Sequence, residues 1–167
     1  SVDFSPPNAI DTLGSIQSPF SIYVPGLAGI ARQETLVSMG MLRRSVARGD
    51  ANMVLRNVLY RVFTDEERRV PFDTAINEVF PGHHLAVQFD QDTDEYIIVT
   101  LAREESNSIP LDNAGTGFLQ IVQILSYLFL FDPKLVLLDE PDAHLHPSNQ
   151  RRLMRLLARL AIERDFQ

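Results

Sequence analysis

Leu135-Val136-Leu137-Leu138-Asp139-Glu140-Pro141 is the stretch whose reading decides the fold. Four apolar residues in a row form the pattern of a strand covered on both faces in a parallel sheet. The run stops on two carboxylates and a proline, so the chain leaves the sheet there. A strand of this kind delivers its last side chains to a fixed place on the sheet's carboxyl edge, where open α/β sheets bind ligands. Upstream, Asp132-Pro133 ends a long apolar run, residues 118–131, interrupted by Gln120, Gln123 and Ser126. A membrane span needs about 20 apolar residues, so this run predicts a buried helix instead. A glycine-bearing turn, residues 113–117, feeds it. Downstream, Leu153, Leu156, Leu157 and Leu160 share one face of a final amphipathic helix over residues 148–164. A strand set between two such helices predicts an α/β fold.

Alone, an Asp-Glu pair is more often a solvated turn than a site. At the end of a buried strand it has the makings of the metal and base end of a nucleotide site. Asp139 can hold Mg²⁺ directly or through water, and Glu140 can orient and deprotonate an attacking water. Gly115-Thr116-Gly117, ahead of the long helix, offers free backbone N–H groups, the positive end of the helix dipole and one hydroxyl. That combination binds phosphate, although a Gly-x-Gly turn by itself is commonly a plain cap.

Across 167 residues, 22 Asp+Glu outweigh 15 Lys+Arg, and the net charge of −7 argues against a polybasic nucleic-acid binder. The absence of cysteine excludes a disulfide framework, a thiolate zinc site and a Cys nucleophile. No signal peptide or membrane segment is visible, so a cytoplasmic protein is expected. Residues 1–30 read as loop with one short strand, 20–24, ending at Pro25-Gly26. Residues 31–63 read as helical, divided at Gly49-Asp50, with Asp50 capping the second helix. Pro71-Phe72-Asp73 predicts the opening of a short helix that ends at Pro81-Gly82. Leu85, Val87 and Phe89, a polar turn over 91–95, and the run from Tyr96 to Leu101 predict a β-hairpin, with 103–108 as loop.

Three further groups read as structural. Asp90, Asp92 and Asp94 open like a calcium loop, but Glu95 stands at the glycine position and Leu101 at the closing glutamate, which rejects calcium. His83-His84 reads as a surface or capping pair. Arg151, Arg152, Arg155 and Arg159 read as a solvated, acid-pairing helix face.

Residues 135–141 resemble the Walker B segment of the ABC-type ATPases, with Asp132-Pro133-Lys134 just ahead as in those proteins. Asp142-Ala143-His144-Leu145-His146-Pro147 is similar to the D-loop of SMC-like and overcoming-lysogenisation-defect-like AAA-type ATPases. Asn113-Ala114-Gly115-Thr116-Gly117-Phe118 sits where the ABC signature belongs. Counting back without gaps puts Thr116 at the signature serine and Gly117 at its first glycine, with Phe118 departing from the pattern at the second. Sliding Gly115 onto the serine saves the second glycine and loses the hydroxyl. The resemblance is specific over about the last 60 residues and looser over residues 23–30 and 56–59, which are similar to the lid region of that group.

The resemblance implies part of a P-loop NTPase, an ABC-type head of α/β fold. A helical and β-hairpin lobe would occupy 1–108, and 109–167 would be the C-terminal part of the core. It implies ATP and Mg²⁺ as cofactors, Asp139 on the metal and Glu140 as catalytic base. Gly115, Thr116 and Gly117 would sense the γ-phosphate of ATP held by the other head of a homodimer, with His144 and His146 in the D-loop at that interface. Hydrolysis would drive a DNA-related or defence process, with nucleic acid or an effector domain as further partners and no membrane.

Some family parts are missing. No Gly-x-x-x-x-Gly-Lys-Ser/Thr P-loop occurs, no Q-loop is visible, and the one lysine, Lys134, precedes a strand. The expectation is an internal portion of a longer ATPase, beginning after the P-loop lobe and ending before the strand that carries the switch histidine. Two other readings stay open. One is a non-catalytic regulatory or interaction module that needs a separate P-loop segment or partner. The other is an effector whose ATPase gates a nuclease, for which no acid/His cluster is visible here.

Overall fold

The computed structural model describes residues 19–27, 29–103 and 107–167. The loop reading of residues 1–18 lies outside them, as does part of that for 103–108. In chain order the elements are β1 (Ser21–Val24), α1 (Met39–Ala47), a 3₁₀ turn (Ala51–Met53), α2 (Leu55–Phe63), α3 (Glu66–Val79), β2 (His83–Gln88), β3 (Ile98–Arg103), β4 (Ile109–Pro110), a second 3₁₀ turn (Leu111–Asn113), α4 (Thr116–Phe131), β5 (Leu135–Leu138) and α5 (Pro147–Arg164).

β5 is a parallel strand, as its unbroken apolar run requires. It pairs with β1 in a register that sets Ser21 against Leu135 and Val24 against Leu138. The ladder continues past the strand end, where Asp139 N–H donates to Val24 O at 3.1 Å. On the opposite edge of β5, Gln167 N–H donates to Lys134 O at 2.9 Å and Gln167 O accepts from Val136 N–H at 2.7 Å. That is the bond pattern of a parallel ladder, so β5 is hydrogen-bonded on both edges. Its faces depart from the expectation of full cover, since Leu137 is half exposed.

α4 is the axis of the core. Every residue from Gly117 to Phe131 is buried, and α2, α3 and β1 pack around it. Phe129 meets Phe72 of α3 edge-on, with ring centroids 6.3 Å apart at 87°. The polar residues that interrupt the run are hydrogen-bonding posts. Gln120 Oε1 accepts from Leu27 N–H at 2.8 Å, and Gln123 Nε2 donates to Asn52 Oδ1 at 2.7 Å. Tyr127 Oη donates to Ala51 O at 2.7 Å. Burial, then the charge of Glu34, pushes the Tyr127 phenol up and keeps it a donor at neutral pH. Tyr127→Phe is expected to cost about 1 kcal/mol, because Ala51 O then keeps only the 3.3 Å bond from Val54 N–H. A thermal midpoint equal to wild type would remove this strut from the account.

Around that axis, β2 and β3 form the antiparallel hairpin, and β4 adds to β3 as a third strand beside the loop. The sheet sits against α2 and α3, and α5 packs on α3.

Three boundaries differ from the sequence reading, each for a tertiary reason. Residues 31–37 are not helical. Their backbone is held by α2 instead: Asn57 Oδ1 accepts from Val37 N–H at 2.8 Å, and Asn57 Nδ2 donates to Thr35 O at 3.0 Å. Asp50 caps no α-helix; it stands before the 3₁₀ turn without a side-chain cap bond, and Val54 precedes α2. α3 begins at Glu66, five residues before Pro71, because Asp65 accepts from Glu67 N–H at 3.1 Å and two glutamates fill the first turn. Pro71 removes one backbone bond, but burial of Phe72, Ala75, Ile76 and Val79 carries the helix through.

Candidate functional site

β1 and β5 run parallel, so both release their chains at the same edge of the sheet: Val24 into Pro25-Gly26, Leu138 into Asp139-Glu140. Asp139 is exposed there. Tyr23 Oη donates to its Oδ2 at 3.2 Å. Lost solvent around the ring, then the carboxylate's hydrogen bond and charge, push the Tyr23 phenol up. Among the described residues the side-chain partner of Asp139 is this hydroxyl and no cation pairs with it. Gly26 lies alongside: a Cβ built on it would stand 3.7 Å from Asp139 O and 3.9 Å from Oδ2.

Glu140 is exposed and takes a φ of +44°, left-handed backbone that costs a non-glycine residue about 1–2 kcal/mol. The turn closes behind it with Ala143 N–H donating to Glu140 O at 3.0 Å. His144 is left-handed as well, with φ +64°. Leu145 is buried, and His146 caps α5, its Nδ1 accepting from Ser148 N–H at 3.3 Å and lying 2.8 Å from Ser148 Oγ. The 142–147 segment is thus a tight two-sided turn, in which His146 shapes the start of α5 and His144 stays exposed.

At the other end of the site, Gly115 is the N-cap of α4 without a side-chain cap bond, and Thr116 is the first helical residue; both are exposed. The first bond of the helix is Leu119 N–H to Gly115 O at 3.1 Å. The N–H groups of Thr116, Gly117 and Phe118 therefore have no partner inside the helix, and they carry the positive end of the helix dipole. Gly117 is buried against the 142–147 turn: an ideal Cβ would stand 2.7 Å from His144 O and 2.9 Å from Leu145 Cδ2. The glycine turn and the turn after the acid pair are in contact.

On the Asp139 side, Leu27 follows Gly26 and donates to Gln120, one turn into α4. The acid pair and the amino end of α4 are thereby joined to one frame. Phe118, which departs from the signature pattern, is a core residue. It packs against Phe80 at 5.1 Å and His83 at 5.6 Å, centroid to centroid.

The other singled-out groups fall elsewhere. His83 stacks at the start of β2, its Nδ1 3.1 Å from Pro81 O. Oxygens of Asp90 and Asp94 accept from N–H groups of their own turn, those of Asp92 and Asp90. Arg159 pairs with Glu78 and Glu163, as expected of that face, whereas Arg152 donates to Val79 O at 3.2 Å. Among the described residues no group of three or more His, Asp and Glu could hold a metal. Mg²⁺ bound through one carboxylate, waters and a nucleotide's phosphates needs no such group, and Asp139 fits that donor set. Tyr23, Gly26 and Gln120 escaped the sequence reading as site residues. The sequence carries no signal for them, because the pairing of β1 with β5 that brings Tyr23 to Asp139 joins residues more than 100 positions apart.

The architecture is mixed α/β, with a parallel strand pair and a three-stranded antiparallel sheet among the described residues. Residues 32–167 match the model of the family described as "AAA domain, putative AbiEii toxin, Type IV TA system", and the chain belongs to this AAA domain family. Over 53 residues it is 38% identical to the uncharacterized protein MJ1542 of Methanocaldococcus jannaschii, a stretch covering 32% of this chain and 7% of that protein. Among the described residues no helix is long and apolar enough to cross a membrane.

Proposed function

We propose that the chain is part of an ABC-type ATPase head that binds ATP and hydrolyses it with Mg²⁺ in a dimer of heads. The helical and hairpin lobe spans 1–108, and the signature helix, Walker B strand and D-loop helix lie within 109–167. The supporting observation is that the acid pair and the amino end of α4 share one edge, with Gly117 packed on His144. Asp139 holds the Mg²⁺, which supplies charge neutralisation on the phosphates, and Glu140 takes the proton of the attacking water. Gly115, Thr116 and Gly117 face the γ-phosphate of ATP held by the second head. His144 and His146 stand at the interface between heads, His146 through the start of α5 that it caps. The family description names a toxin of toxin–antitoxin systems. A defence or DNA-related process driven by ATP is the reading we carry to this chain.

The test is Asp139→Asn in the intact protein. The amide keeps the shape and loses the charge that Mg²⁺ needs, so Mg²⁺-dependent nucleotide affinity is expected to fall about tenfold or more. Titration with a fluorescent ATP analogue, with and without Mg²⁺, reads it. Equal affinity in both proteins at all Mg²⁺ concentrations takes Asp139 off the metal.

A further inference from the structure

Arg56, on α2, is 3% exposed, and Glu34, in the irregular segment before α1, is 5% exposed. The Glu34 carboxylate receives the backbone N–H groups of Arg56 at 2.9 Å and Asn57 at 3.0 Å, and Arg56 Nη1 lies 3.8 Å from it. The same Nη1 donates to Ala31 O, while Nη2 pairs with Asp112 Oδ1. One guanidinium therefore ties together three segments far apart in sequence: residues 31–34, α2 and the 3₁₀ turn Leu111–Asn113.

That 3₁₀ turn matters because of what it leads to. Leu111 is fully buried, Ala114 N–H donates to Leu111 O at 3.0 Å, and Gly115, the N-cap of α4, is the next residue. Among the described residues the charged side chain holding this approach is Asp112, and its partner is Arg56. The first N–H groups of α4 have no partner within the helix and no side-chain cap at Gly115, so their aim is fixed by the turn before them.

We propose that Arg56, acting through Asp112, is a positioning residue for the phosphate-facing turn at 113–117. The proposal rests on the ATPase reading above for what the turn faces, but the tether itself is independent of that reading. The planar fork of arginine meets a carbonyl and two carboxylates at once, which a lysine ammonium on a flexible stem cannot reproduce.

Replacing Arg56 would leave the buried Glu34 carboxylate with its N–H donors but without its cation, which threatens the fold. Asp112 stands at the edge of the network, so Asp112→Ala cuts the tether and leaves the Glu34–Arg56 pair in place. In the intact protein we expect a stable fold, faster amide exchange at Ala114 and Leu119, an unchanged KM for ATP, and a kcat lowered about tenfold to a hundredfold. A purely structural role would not split kcat from KM. Unaltered exchange at both amides overturns the tether. Faster exchange with unchanged kcat in an active enzyme overturns the positioning role. An intact wild-type protein that hydrolyses no ATP overturns the ATPase reading and this proposal with it, while the exchange result still reports on the tether.

Discussion

Glu140→Gln in the intact protein is expected to lower ATP turnover by about 10²–10³-fold while ATP binding persists and the dimer of heads stays closed. The amide has the size and shape of the carboxylate and cannot accept a proton, so the loss falls on the chemical step. A left-handed φ of +44° at a glutamate is a cost that glycine or asparagine would avoid, at the point where the chain leaves β5. Glu140→Gly is the companion variant. It relieves the strain, raising stability by up to about 1 kcal/mol, and it removes the base, so its turnover should fall at least as far as that of Glu140→Gln. Steady-state phosphate release and nucleotide titration separate the two effects. Turnover within twofold of wild type in the glutamine variant excludes Glu140 as the base.

The parts of this architecture that the sequence exposes are those whose cause is local. The apolar run 135–138 is legible as a parallel strand, although Leu137 stays half exposed, and the acids after it mark its carboxyl end. The run 118–131, closed by Asp132-Pro133, could only be a buried helix, and Asp132 indeed takes the left-handed cap with φ +45°. What the sequence hides depends on partners distant along the chain. Residues 31–37 have helical spacing, yet Asn57 and Arg56 hold them irregular from 20 or more positions away. Gln120 and Gln123 read as blemishes in an apolar helix until Leu27 and Asn52 are seen to bond them. Tyr23 gains its meaning from Asp139, 116 residues later, because a parallel pairing sets their strands side by side. Phe118 departs from the signature pattern, and it is a buried aromatic packed against Phe80.

The contact between the two turns carries the second large expectation. Gly117 lies inside α4 with ordinary helical backbone, so glycine is not demanded there by its φ; alanine would raise helix propensity by about 1 kcal/mol. The obstacle is steric. A Cβ would press on His144 O at 2.7 Å, on Leu145 Cδ2 at 2.9 Å and on His144 C at 3.2 Å. Leu145 can give way through its side chain, but the carbonyl belongs to a left-handed residue set between Glu140 and the cap of α5, so relief means moving backbone. Gly117→Val, with two more methyl groups and a stiffer side chain, is expected to cost about 3 kcal/mol, a fall of roughly 6–12 °C in the thermal midpoint. Gly115→Ala is the control two residues away, where a Cβ meets nothing within 4 Å, and its cost should stay within about 1 kcal/mol. Because the displaced carbonyl precedes His146 and the displaced helix end carries Thr116, the valine variant should lose ATP turnover even at temperatures where it remains folded. Matching thermal midpoints in the two variants would mean that the turns do not touch as described, and the shared edge on which the ATPase reading stands would go with them.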